Sequence, residues 1–226
     1  MEIRYLGHSC FELTDGSTRI LIDPFLTGNP KAAAEASELA PTHIFLTHGH
    51  WDHFGDVVDI AKRTSAQVVA IMEVAGELTE DHGLENVADP NLGGTVEFGE
   101  VWVRLVPAWH TSTTPNGTAN TPAGLVIGLG DRTIYHLGDT ALFSDLRLVA
   151  ERDDIDVALM CIGGHYTMDR HDAVRAADLV GAEIVVPCHY NTFPPIETDV
   201  QAFKSEVEAR TASKVEVLDP GDTLSL

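Results

Sequence analysis

A run of potential metal ligands directly after a short apolar segment is the feature that most constrains this chain. His48, His50, Asp52 and His53 follow residues 44–47, Ile-Phe-Leu-Thr. Imidazole nitrogen and carboxylate oxygen are the ligands that zinc and its first-row neighbours prefer. His48 and His50 can point the same way because side chains alternate along an extended chain. Asp52 and His53 begin a turn and can face a second point nearby, so the spacing predicts two metal ions.

Three further potential ligands each follow a predicted strand. They are His110 after residues 101–106, Asp139 after residues 133–137 and His189 after residues 183–186. Folds built from sheets and helices place their sites beyond the carboxyl ends of strands. A histidine of this kind, taken alone, is more often a surface or core residue. As members of this series, the three residues are expected to complete a site with two metals.

Short apolar, β-branched runs alternate with helix-like stretches along the whole chain. The predicted strands are residues 19–23, 43–47, 67–71, 101–106, 125–129, 133–137, 157–161 and 183–186. The predicted helices are residues 31–39, 56–63, 141–151, 171–180 and 200–210. Gly130-Asp131 is typical of a hairpin turn. This order predicts an α/β fold in four αββα layers, two mixed β-sheets with outer helices, and a single domain over residues 1–226.

The net charge limits the classes of binding partner, and the cysteines indicate the cellular compartment. The chain has 14 basic and 35 acidic residues, a formal net charge of −21. A surface this acidic disfavours nucleic acid and anionic membranes, which bind basic surfaces. There is no signal-peptide pattern and no apolar run of ~18 residues. The three cysteines lie in apolar, strand-like contexts that suit reduced core thiols. We therefore expect a cytoplasmic protein with a small-molecule substrate, and homo-oligomers remain open.

The order of these residues resembles the five-motif signature of the metallo-β-lactamase superfamily. The resemblance spans nearly the whole chain and runs through Asp23, His48-x-His50-x-Asp52-His53, His110, Asp139 and His189. It implies one metal held by His48, His50 and His110. It implies a second metal held by Asp52, His53 and His189. Asp139 would bridge the two metals, and Asp23 would orient the histidine loop through hydrogen bonds.

Other segments are similar to the ascorbate-phosphate-lactonase-like branch of that superfamily, much of which is named only as metal-dependent hydrolases. They are residues 7–11, Asp23-Pro24, residues 138–140, residues 166–168 and residues 189–196. Gly163-Gly164-His165 departs from the Gly-Asp-Asn that close relatives often carry.

Several residues near these motifs have two interpretations. His165 is a candidate substrate contact or an ordinary loop histidine, and Asn191 is a second candidate contact. His8 is expected either to contact the ligands or to pack in the first hairpin. Trp109 and Phe193 flank ligands and are candidates for apolar pocket walls or for core packing.

The predicted activity is hydrolysis by a hydroxide held between two divalent metals, with Asp52 as the catalytic carboxylate. The expected metal is Zn²⁺, with Mn²⁺, Ni²⁺, Fe²⁺ and Co²⁺ as alternatives. No Gly-x-Ser-x-Gly elbow or P-loop offers a different chemistry. An ester bond in a small molecule, most concretely a lactone, is the first hypothesis. Phosphodiester hydrolysis and a non-catalytic metal-binding protein are the alternatives.

Overall fold

The structure is a computed structural model that describes residues 1–226. It contains sixteen β-strands and six α-helices. The strands are β1 (Glu2–Gly7), β2 (Cys10–Asp15), β3 (Thr18–Ile22), β4 (His43–Phe45), β5 (Gln67–Val69), β6 (Val87–Ala88), β7 (Thr95–Phe98), β8 (Val101–Pro107), β9 (Ser112–Thr113), β10 (Ala119–Asn120), β11 (Ala123–Leu129), β12 (Arg132–His136), β13 (Val157–Cys161), β14 (Ile184–Cys188), β15 (Lys214–Val215) and β16 (Thr223–Ser225). The helices are α1 (Trp51–Phe54), α2 (Val57–Thr64), α3 (Met72–Glu80), α4 (Leu146–Arg152), α5 (Arg170–Val180) and α6 (Val200–Arg210).

The strands form two seven-stranded mixed sheets and one small hairpin. The first sheet has the order β16-β1-β2-β3-β4-β5-β6, and the second has the order β15-β14-β13-β12-β11-β8-β7. In each sheet, four strands are joined by antiparallel pairing, and parallel pairing extends the sheet on one side. The hairpin consists of β9 and β10.

Two apolar cores separate the layers. The larger core joins both sheets to the apolar faces of α2 and α3. The smaller core lies on the other face of the second sheet, beneath α4, α5 and α6. Strand β11 shows the alternation directly, because Leu125 and Ile127 belong to the larger core and Val126 to the smaller. The predicted αββα sandwich of two mixed sheets is confirmed.

The potential ligands lie just beyond strand ends, as the sequence predicted. His48 is three residues past β4, His110 three past β8, Asp139 three past β12, and His189 directly follows β14. These strands are mostly buried, so they anchor the short segments that carry the potential ligands.

The helix predicted for residues 31–39 is wrong. The segment contains only a 3₁₀ turn at Ala36–Glu38. Its backbone groups bond elsewhere: Ala33 N–H donates to the Leu6 carbonyl, and Arg63 donates to the carbonyls of Ala36 and Leu39. These tertiary hydrogen bonds override the helix propensity of four alanines in the segment.

Two other helices differ from the prediction, one in its start and one in its presence. The helix predicted for residues 141–151 begins only at Leu146, because Ala141 N–H donates to the Trp109 carbonyl and holds the preceding residues beside the site. Helix α3 was not predicted at all. The sequence pattern that could have predicted α3 is the apolar face formed by Val74, Ala75 and Leu78, which are all buried.

Two further sequence features have structural outcomes. All three cysteines are free and buried. None of the six helices combines the length and the apolar character needed to cross a bilayer.

Candidate metal centre

Four of the other six potential ligands surround Asp139. Its carboxylate oxygens lie 3.1 Å from Nε2 of His189, 3.4 Å from Nε2 of His53, 3.6 Å from Nε2 of His110 and 4.0 Å from Nε2 of His48. Asp139 and three of these histidines are buried, while His110 is partly exposed. The arrangement places one buried carboxylate among nitrogen atoms from three separate loops.

The converging atoms divide into overlapping groups, each with its possible ligand atoms within 4.8 Å of one another. These groups are His48, His50 and His110; His8, Asp52, His53 and His189; and His48, His53 and Asp139. The first group coincides with the set that the resemblance implies for the first metal. The second contains the set implied for the second metal, together with His8. The third joins both sets through Asp139.

Several polar atoms at this point have no hydrogen-bond partner although they are buried. They include Nε2 of His53, Nε2 of His189 and Oδ1 of Asp139. A buried polar atom without a partner costs about 1–3 kcal/mol, so native structures rarely retain one without a reason. Such atoms facing a common centre fit divalent cations, which nitrogen and carboxylate oxygen both bind.

Asp23 sets the ring orientation of two histidines. It accepts hydrogen bonds from Thr47 N–H (2.9 Å), from the Thr47 hydroxyl (2.7 Å) and from Nδ1 of His53 (2.7 Å). Because the Thr47 hydroxyl gives its proton to Asp23, its oxygen accepts from Nδ1 of His48 at 2.9 Å. Both rings therefore present Nε2 to Asp139, as carboxylate–histidine–metal arrangements require. Asp23 thus bonds the histidine loop at both Thr47 and His53.

His8 bonds Asp52 and lies against His189. Burial, followed by the nearby charge of His189, lowers the pKa of His8 to about 4. The neutral ring donates from Nε2 to Asp52 at 3.2 Å and accepts at Nδ1 from the Thr192 hydroxyl at 2.9 Å. Burial raises the pKa of Asp52, but the hydrogen bond with His8 and the proximity of His53 outweigh it. The net pKa of Asp52 is lowered.

The buried charges at the centre depend on one another. Burial raises the pKa of Asp139, but His189 and His53 outweigh it and hold that pKa well below its usual range. Burial lowers the pKa of His53, but Asp139 and Asp23 outweigh it and hold that pKa well above its usual range. His53 must lose its Nε2 proton to ligate a cation, so metal binding here is coupled to proton release.

The hairpin of β9 and β10 holds the histidine loop at Gly49. Gly49 N–H lies 3.1 Å from Oγ of Ser112 and 3.2 Å from Oδ1 of Asn120. The hairpin is itself fixed, because the Thr114 hydroxyl donates to the buried carboxylate of Glu77 on α3 at 2.5 Å. The turn-rich region after His110 is therefore part of the site's framework.

We expect Gly49→Ala to weaken metal binding by roughly 10- to 100-fold, the usual effect of disturbing groups that support a metal's ligands. A Cβ at Gly49 would lie 2.7 Å from both Thr114 Cγ2 and Asn120 Nδ2, which are held by hydrogen bonds and cannot simply move away. Competition with a chromogenic chelator measures the affinity. Gly76→Ala is the matched control, since its Cβ would meet nothing within 4 Å. Equal affinities in the two variants would contradict this account of the hairpin.

A cleft of about 480 Å³ opens above the centre. The residues that line it are His50, Trp51, Asp52, His110, Thr111, Asp139, Tyr166, His189, Phe193 and Pro195. Five of the seven potential ligands thus face the cleft, and no lysine or arginine lines it.

Neither of the two candidate substrate contacts, His165 and Asn191, lines the cleft. His165 is outside the lining and packs edge-on against Tyr166, with ring centroids 4.5 Å apart. Asn191 is also outside, because its side chain both donates to and accepts from the backbone of Thr198. Of the two aromatic candidates, Phe193 lines the cleft, whereas Trp109 is 68% exposed and packs near Phe143.

The sequence reasoning missed three residues that line the cleft, namely Trp51, Tyr166 and Pro195. The available signal for Trp51 was its place between His50 and Asp52. A residue between two ligands on a one-turn helix remains beside the site whichever way its own side chain points.

Comparison with known proteins agrees with this geometry. Residues 2–189 match the family model described as the beta-lactamase superfamily domain. The chain belongs to the metallo-β-lactamase superfamily. Within that superfamily, it is 49% identical to a Thermus thermophilus protein named "UPF0173 metal-dependent hydrolase", over 100% of this chain and 99% of the relative. At that identity and coverage, the chain belongs to this family of metal-dependent hydrolases, as the sequence predicted.

Solved structures share the fold. A metallo hydrolase from Ignicoccus hospitalis superposes with a TM-score of 0.90 at 36% identity, covering 99% of this chain and 97% of that protein. An isothiocyanate hydrolase from Delia radicum gut bacteria superposes with a TM-score of 0.75 at 17% identity, covering 100% and 99%. The second likeness concerns the fold alone, since one fold carries many different substrates.

Proposed function

We propose that this hydrolase holds two divalent metal ions, with zinc as the expected metal, and cleaves an ester bond of a small molecule, most concretely a lactone. His48, His50 and His110 would hold the first ion, and Asp52, His53 and His189 the second. Asp139 would be shared between the two. The observation that carries the proposal is that these side chains form overlapping groups of possible ligand atoms, four of them around Asp139, with buried ligand atoms left unpartnered.

Divalent cations in such a site lower the pKa of bound water and polarise the oxygen of the bond to be broken. The chain's own residues must then manage the proton. Asp52 faces the cleft, and its Oδ2 lies 4.0 Å from Nε2 of His189 and 3.2 Å from Nε2 of His8. We propose that this carboxylate accepts the proton of the attacking water and passes it to the leaving oxygen.

The hydrogen-bond chain behind Asp52 supports that role. His8 donates to Oδ2 of Asp52, and the Thr192 hydroxyl holds the opposite nitrogen of the same ring. The carboxylate is therefore fixed in orientation before a substrate arrives, which lowers the cost of reaching the reactive geometry.

The charges around the cleft favour a lactone over a phosphodiester. A phosphodiesterase usually grips its anionic substrate with arginine or lysine in addition to metals. No such residue lines the cleft. Arg170, the nearest cation in sequence to the Tyr166 loop, lies in the first turn of α5 and pairs with Glu206 on α6. Its guanidinium is thus engaged away from the metals.

The net charge of −21 favours the same substrate class. An acidic surface repels polyanions such as nucleic acid, and it does not attract anionic substrates. We propose a small, uncharged or singly anionic molecule as the substrate.

A rate comparison on the metal-loaded protein tests the proposal. We expect faster hydrolysis of simple γ-lactones than of bis-aryl phosphodiesters. We expect Arg170→Ala to change neither rate by more than about twofold, because Arg170 pairs with Glu206 and does not line the cleft. Arg147→Ala is the control for removing a cation, since Arg147 pairs with Glu151 on the exposed surface of α4. A fast phosphodiesterase reaction that collapses in Arg170→Ala, but not in Arg147→Ala, would replace the lactone proposal with the alternative.

A further inference from the structure

Trp51 is a large apolar side chain that is exposed to solvent beside the metal centre. It lies on α1 between His50 and Asp52, lines the cleft and is 56% exposed. Single exposed hydrophobic residues are common on protein surfaces and need no explanation. Trp51 differs because it is one of several exposed apolar groups that share one cleft.

The Trp51 ring is held by neighbouring aromatic rings. Its centroid lies 5.1 Å from that of Phe25 in an edge-on arrangement and 5.9 Å from that of Phe193. Phe25 is buried, and Phe193 also contacts His8 at a centroid distance of 5.6 Å. Aromatic pairs at these distances stabilise one another, so the wall formed by Trp51 and Phe193 has a defined shape.

Tyr166 supplies a second solvent-exposed aromatic ring to the same cleft. It is 56% exposed and packs edge-on against His165. Tyr166 comes from the loop before α5, whereas Trp51 comes from the histidine loop, so the two rings reach the cleft from separate segments. Pro195, also exposed, adds a rigid apolar surface.

The charged groups that line the cleft are confined to the metal centre. They are Asp52, Asp139 and the histidines, and the remaining lining consists of aromatic rings, Pro195 and Thr111. A charged substituent placed between Trp51 and Tyr166 would lose water without gaining an ionic partner. An uncharged apolar substituent would bury both its own surface and that of the rings.

We infer that Trp51, Phe193 and Tyr166 form an aromatic clamp that binds an uncharged alkyl or aryl substituent of the substrate, while the scissile group faces Asp52 and Asp139. This inference rests on the proposed function, because it assigns the part of the ester substrate that the cleft recognises. The clamp determines specificity and takes no part in bond cleavage.

The test uses the metal-loaded full chain and two matched probe series. The first is γ-lactones with methyl, butyl and hexyl tails, followed by kcat/KM. The second is the corresponding γ-lactams, which resist hydrolysis, followed by tryptophan fluorescence for Kd. We expect kcat/KM to rise and Kd to fall by roughly two- to fourfold for each methylene added, the range for partial to full burial.

The variants Trp51→Ala and Tyr166→Ala should flatten the dependence on tail length in both series. Metal content should change little, because neither residue provides a predicted ligand. Trp109→Ala is the matched control, since Trp109 is an exposed tryptophan next to a ligand but outside the cleft. It should keep the full dependence on tail length. For Trp51→Ala, where fluorescence is reduced, calorimetry supplies Kd.

The experiment distinguishes failure of the proposed ester hydrolysis from failure of the aromatic clamp. If no lactone is hydrolysed but lactam binding still strengthens with tail length through Trp51, the proposed ester hydrolysis fails and the clamp stands. If lactones are hydrolysed at a rate independent of tail length, the clamp is overturned and the proposed function stands. Tail dependence that survives in Trp51→Ala and Tyr166→Ala, or lactams that do not bind at all, would also overturn the clamp.

Discussion

Replacing Asp139 with alanine is expected to empty both metal positions and to reduce kcat/KM by about 10³-fold or more, since metal catalysis supplies several kcal/mol of barrier lowering. The physical reason is that Asp139 lies within 4.0 Å of the Nε2 atoms of four potential ligands, His48, His53, His110 and His189. Without the carboxylate, the cluster loses the anion shared by both ligand sets, and the repulsion between two nearby cations is no longer offset. Elemental analysis and lactone hydrolysis measure the two effects.

The control for Asp139→Ala is Asp131→Ala, which removes an equal charge from the exposed turn between β11 and β12. It should retain both ions and full activity. Circular dichroism establishes that each variant is folded. A folded Asp139→Ala protein that keeps two ions per chain and near-normal turnover would show that Asp139 does not join the two ligand sets.

The second large effect is expected at Asp52. Asp52→Asn keeps the size of the side chain and an oxygen that can accept from His8, so the fold and most of the metal should remain. The amide cannot accept the proton of the attacking water, so kcat should fall by about 10²- to 10⁴-fold, the range for loss of a general acid–base group. Steady-state kinetics on protein of measured metal content gives the result.

Asp172→Asn, an exposed position on α5, controls for the change from acid to amide. Its kinetics should match those of the unchanged protein. If metal-replete Asp52→Asn also turned over at a near-normal rate, Asp52 would be a plain ligand and another group would have to move the proton.

The fold and the ligand positions could be predicted because they depend on local patterns. Strands such as β13 and helices such as α6 were predicted with their observed bounds, since each is a short apolar or periodic run ended by turn residues. The ligands follow because each lies directly after such a strand. The spacing of His48 and His50 is a second signal, whereas the bridging role of Asp139 was implied only by the resemblance to a known motif order.

The missed features depend on contacts between distant segments. Residues 31–39 have helix-forming composition, but Arg63 and β1 take up their backbone groups. Asn191 was a reasonable substrate contact from its place near His189, yet Thr198 binds its side chain. Trp51 and Tyr166 are 115 positions apart in the sequence, and only the folded chain brings both to one cleft.

The central claim is that this chain holds two metal ions through two ligand sets joined by Asp139. Anomalous diffraction from crystals of the zinc-loaded protein, recorded above and below the zinc absorption edge, tests it most directly. The account predicts two separate anomalous peaks, one next to His48, His50 and His110 and the other next to Asp52, His53 and His189, with Asp139 in contact with both. A single peak in fully loaded protein, or peaks away from these side chains, would contradict it.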